Sequence, residues 1–141
     1  MAQPTVDEIL ESFFVGSCDD KLPATAQRYT RVRTQLQLFL EADGWEFLTP
    51  DAAALLELER AFTPRNGFGR LFGAEDLLYA LHGFLGPRWL LPGVQDRRTQ
   101  VSLTRRLVQW LCSASLVDRA WHADAVRGVL AAAESARRDG A

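Results

Sequence analysis

The chain predicts an all-α fold. Three observations carry this. Apolar residues recur at helical spacing in six separate stretches, no segment alternates apolar and polar residues as a half-buried strand does, and β-branched residues are scattered. Helix start and stop chemistry falls between the periodic stretches, which supports a bundle of five to six helices in one domain, residues 1–141.

The first helix is expected from about Val6 to Val15. Thr5 is placed as its N-cap with Glu8 three residues on, the capping-box pattern. Ile9, Leu10, Phe13 and Phe14 form its apolar stripe, Gly16 is a stop signal, and 17–23 is a polar connector. The second helix, about Ala24 to Ala42, is amphipathic: Tyr29, Val32, Leu36 and Phe39/Leu40 make one face, while Arg28, Arg31 and Gln35 share another with Arg33 and Gln37 beside it. Thr49-Pro50-Asp51 opens a third helix to about Phe62, with Pro50 in the first turn where its missing N–H is harmless. Leu55, Leu56, Leu58 and Phe62 are its expected apolar positions.

Thr63 to Gly73 reads as a glycine-rich loop. A helix from about Ala74 to Phe84 carries Leu77, Leu78, Leu81 and Phe84, and Gly86-Pro87 breaks it. The next, about Gln95 to Ser113, turns Val101, Leu103, Leu107, Trp110 and Leu111 inward and sets Arg98, Ser102, Arg105 and Gln109 along one outward ridge. A last helix is expected from about Val117 to Arg137, anchored by Trp121, Val126, Val129 and Leu130.

Fifteen of the sixteen basic residues are arginine, Lys21 being the only lysine, and arginine makes forked contacts to phosphate that lysine cannot. The net charge of −2 argues against a binder of nucleic acid over its whole surface. Basic character is local: residues 94–110 carry Arg97, Arg98, Arg105 and Arg106 against Asp96 alone. Cys18 and Cys112 have no metal-ligand spacing, the N-terminus lacks a signal-peptide pattern, and no apolar run approaches the roughly 20 residues of a membrane span. A cytoplasmic protein with no membrane contact is expected.

Catalytic chemistry is not specified. His82 and His122 are single helical histidines, and the loop Asn66–Gly73 fails both the GxGxxG spacing and the GK[ST] of a phosphate loop. No catalytic residue, cofactor or metal ligand is assigned, and the chain is read as a non-enzyme.

With the elements in order, the chain resembles the N-terminal SAM-like, or core-binding, domain of tyrosine recombinases and phage integrases. The opening helix Val6–Phe14 precedes a connector, and Leu22-Pro23-Ala24-Thr25-Ala26-Gln27-Arg28-Tyr29 running on to Leu36-Gln37-Leu38-Phe39-Leu40 is similar to the family's S-x-x-T-x-x-x-Y…L-x-x-F-L helix. Leu48-Thr49-Pro50-Asp51 is similar to its L-T-P-x-D start, and Arg97 through Leu111 resembles its T-x-x-R-x-x-A-L-R-x-F-F-x-W-L helix. The match covers most of residues 5–113, rests largely on the apolar pattern of a small bundle, and leaves 63–94 as an insertion and 117–138 as an appended helix. The resemblance implies a compact orthogonal bundle that clamps duplex DNA, with phosphate contacts at Arg28, Arg31, Arg33, Arg97, Arg98, Arg105 and Arg106. The recombinase catalytic domain has no counterpart here, so strand cleavage is not implied. The second reading is a protein–protein interaction or assembly domain, including a homo-oligomer, that uses Phe68, Leu71, Phe72, Trp89, Leu90 and Leu91 as a partner surface.

Overall fold

Local capping sets where the helices begin. In the computed structural model, which describes residues 3–139, the Thr5 hydroxyl accepts from Glu8 N–H at 3.2 Å and Glu8 accepts from Thr5 N–H at 3.0 Å, closing the predicted capping box. Residues 1–2 and 140–141 of the expected domain lie outside the described residues. The elements are α1 (Val6–Cys18), α2 (Pro23–Ala42), a 3-10 turn (Gly44–Phe47), α3 (Pro50–Phe62), α4 (Gly67–Leu71), α5 (Ala74–Phe84), α6 (Val94–Ser113) and α7 (Ala123–Asp139). The fold is an all-α bundle, and no strand occurs among the described residues. Among the described residues, no helix is long and apolar enough to cross a membrane.

One apolar core runs through the bundle, with Phe39 near its centre, 5.6 Å from Phe84 and 5.5 Å from Trp89 between ring centroids. Residues 63–94, expected as an insertion, supply much of it: Phe68, Leu77, Leu78, Leu81 and Phe84 are fully buried. The glycine-rich loop is partly helical because α2 caps it from outside. The Glu41 carboxylate accepts from Asn66 N–H at 3.1 Å and Phe68 N–H at 3.2 Å, and Asn66 takes a left-handed φ of 59° to start α4. At Gly67 a Cβ would sit 2.9 Å from Leu56 Cδ1, so a larger residue there would press on that buried leucine.

The other departures have equally local causes. α1 passes through Gly16 to Cys18, because the left-handed turn that ends it comes at Asp20, with φ 63°, and not at the glycine. The last helix begins at Ala123, not Val117, because Ser115 is left-handed (φ 59°) and the Asp118 carboxylate accepts from Ala120 and Trp121 N–H in an Asx-type turn. That turn leaves Trp121, expected as an anchor, 82% exposed. In α3 only Leu56 is buried; Leu55, Leu58 and Phe62 face outward.

Gln100, on α6, is completely buried and stitches down the connection before it. Its amide donates to the Phe84 and Trp89 carbonyls at 3.2 and 3.0 Å, and its oxygen accepts from Leu91 N–H at 2.8 Å. This fixes the start of α6 and the arginines it carries.

Candidate anion-binding groove

α6 buries Val101, Leu103, Thr104, Leu107, Val108 and Leu111, so the residues at spacings of four and three on its other side are turned outward. α7 packs on α6 and α5, burying Val129, Ala133 and Ala136, and Ala136 meets α6 at the groove, where its small side chain leaves a trough. The resulting groove has a volume of about 590 Å³ and is lined by Arg97, Arg98, Arg105, Arg106 and Arg137 with Ser102 and Gln109, over a floor of Val101 and Ala136.

The five guanidinium groups differ in how firmly they are held. Arg97 donates from Nε to the Leu91 carbonyl at 3.1 Å, and Arg106 donates to the Tyr29 hydroxyl at 3.2 Å with its guanidinium 5.9 Å from that ring's centroid. Both are braced by neutral partners and keep their charge for a ligand. Arg98 and Arg105 are exposed and make no ion pair or side-chain hydrogen bond among the described residues. Arg137 donates to Glu134 at 3.1 Å, a carboxylate that Arg138 also approaches at 3.8 Å, so one acid is shared by two cations. Among the described residues, no carboxylate, thiol or imidazole lines the groove. The chemistry present is forked hydrogen bonding to an anion, with Ser102 and Gln109 as neutral donors.

The α2 arginines do not join this surface. Arg31 grips Asp96 at the start of α6 with Nε 3.2 Å from both carboxylate oxygens and Nη2 3.0 Å from one of them. Arg33 turns to α1, donating to Glu11 at 2.9 Å with its guanidinium 5.9 Å from the Phe14 ring centroid. Arg28 is half-buried on the Arg31 side of α2 and does not line the groove. The two arginine rows therefore act separately: α2 spends Arg31 and Arg33 on holding neighbouring helices, and α6 presents the cationic ridge.

The aromatic patch expected as a partner surface is core instead. Phe68 and Phe72 are buried, and Leu71, Trp89, Leu90 and Leu91 are half-buried against the same cluster, with Trp89 Nε1 donating to Asp43 at 2.6 Å.

Arg137 was not singled out from the sequence, although the small-residue stripe of α7 signals it: Val129, Ala133 and Ala136 point inward, which sets position 137 at the rim. A second cluster also had no sequence signal. His122 is buried, with Nε2 3.4 Å from a Glu75 carboxylate oxygen and Nδ1 hydrogen-bonded with the Tyr79 hydroxyl at 2.8 Å. It ties α5 to the turn before α7 and is remote in sequence from the groove lining. No protein-family model, curated protein or solved structure matches the chain.

Proposed function

We propose that the protein is a non-catalytic DNA-binding module that contacts duplex phosphates through the α6–α7 groove. The observation that carries this is the pairing of Arg98 and Arg105 on one exposed ridge without carboxylate partners among the described residues, flanked by Arg97, Arg106 and Arg137. Seven residues separate the two ridge arginines, about 10.5 Å of helix axis. At about 3.4 Å of duplex axis per phosphate on one strand, that length spans roughly three phosphates. The integrase-like pattern of α2 and α6 supports the same reading, with the contact set reduced to α6 and Arg137. The free thiols Cys18 and Cys112 are in keeping with a reducing, cytoplasmic setting for this role.

Fluorescence anisotropy with a labelled duplex across a salt series tests it. Three to four neutralised phosphates predict a log–log slope of about −3, and Arg98→Ala/Arg105→Ala should flatten that slope by about 2 and weaken binding at least tenfold. Arg33→Ala, outside the groove, should leave the slope unchanged. Absence of binding at low salt, an affinity indifferent to salt, or a double variant that binds as tightly as the parent would end the proposal.

A further inference from the structure

The α6–α7 groove is not cationic throughout. Val101 and Ala136 form an apolar floor between the arginines, and the aliphatic stems of those arginines widen it. A duplex backbone offers phosphates and sugars to the exposed guanidinium groups, and that contact leaves the floor unused. The enclosed space, about 590 Å³, falls inside the roughly 300–1,000 Å³ of small-ligand pockets, which pair an apolar wall with a few placed polar groups.

Charge defines the other half of such a ligand. Arg97, Arg98, Arg105 and Arg106 line the groove without an ion-pair partner among the described residues, and the two that are braced are braced by neutral groups. Four uncompensated cations match a nucleoside triphosphate, which carries about −3.5 to −4 at pH 7, with −1.5 to −2 of it on the terminal phosphate. Guanidinium planes stack on aromatic faces as well as forking to phosphate. Arginine walls around a floor of two short side chains therefore suit a flat ring, and give an acyl chain nothing to run along.

We propose that the groove also binds a free nucleoside polyphosphate, with its base over Val101 and Ala136 and its phosphates on Arg98 and Arg105, and that this ligand displaces duplex DNA. The displacement rests on the DNA reading above; the nucleotide site does not.

Equilibrium dialysis of the full chain with labelled ATP, at low salt and without DNA, tests the site alone. ATP should bind roughly tenfold tighter than inorganic triphosphate, which has more charge and no ring, and adenosine should not compete. Arg98→Ala/Arg105→Ala should weaken ATP binding by at least roughly tenfold. Ala136→Leu, which fills the floor and spares the arginines, should weaken ATP binding while leaving the salt slope for duplex unchanged. Circular dichroism checks that this variant folds, and the ratio of ATP to triphosphate affinity in the parent decides without it. In the anisotropy assay ATP should release the labelled duplex. No binding of ATP, triphosphate binding as tightly as ATP, an affinity unchanged in the double arginine variant, or a short 5′-phosphorylated oligonucleotide binding more tightly than ATP would overturn the nucleotide site. ATP and duplex bound together would overturn the displacement. ATP binding with no duplex binding would end the DNA reading and leave the nucleotide site standing.

Discussion

Replacing Gln100 by methionine isolates the value of one buried hydrogen-bonding side chain. The two residues have similar length and volume, so Gln100→Met removes three hydrogen bonds without opening a cavity. The Trp89 carbonyl keeps a partner, since Gln35 donates to it at 2.9 Å. The Leu91 N–H and the Phe84 carbonyl do not, having met Gln100 at 2.8 and 3.2 Å. An orphaned group costs about 1–3 kcal/mol, more for the buried Phe84 carbonyl than for the half-buried Leu91 N–H, which sets the loss at about 3 kcal/mol. At about 2.1 cal/mol/K per residue, 141 residues give an unfolding entropy of about 0.3 kcal/mol/K, so Tm should fall by about 10 °C. Calorimetry and urea unfolding measure this, and the Leu91 amide should exchange with solvent faster than in the parent. DNA affinity should fall as well, because Arg97 is braced by the Leu91 carbonyl at 3.1 Å. A Tm change under about 3 °C, or about 1 kcal/mol at that entropy, would refute the account of how the start of α6 is held.

Two further outcomes follow from close approach and burial. Gly83→Ala should lose about 1 kcal/mol in urea unfolding despite alanine's better helix propensity, because its Cβ would lie 2.6 Å from Phe47 Cε2 and 3.1 Å from Phe39 Cζ; Gly128→Ala, where the nearest atom is His82 Cδ2 at 3.9 Å, should gain about 0.5–1 kcal/mol. Asp76 is held above its ordinary pKa of 3.8 by burial, against the lowering effect of the Gly73 backbone hydrogen bond, with Glu75 adding to the rise. The folded state therefore binds more protons than the unfolded chain just above pH 3.8, and stability contributed by this group falls as pH rises through that window. Urea midpoints for Asp76→Asn should match the parent at pH 3 and exceed it at pH 7; parallel midpoints at both would contradict this.

The legible part of the fold was what neighbouring residues decide among themselves. The Thr5–Glu8 box, Thr49 accepting from Ala52 N–H at 3.2 Å, and the inward faces of α2, α5 and α6 all depend on spacings within one element. What escaped depended on partners far along the chain. α4 forms because Glu41 on another helix caps it. Periodicity marked Leu55, Leu58 and Phe62 as inward because it finds an apolar stripe without saying whether the bundle covers it. The α6 ridge was readable as a row of arginines, but its completion by Arg137 and the diversion of Arg31 to Asp96 required knowing which helices touch.

A molecule with a formal charge of −2 that gathers five guanidinium groups in one trough presents different signs at different ranges. In 0.1 M salt the field of the whole molecule fades beyond about 10 Å, so a distant polyanion feels little, and that little is repulsive. Only a collision that brings the trough itself within reach is rewarded. Dilution of salt, which draws anions to a wholly basic protein from every direction, would here reward orientation more than speed.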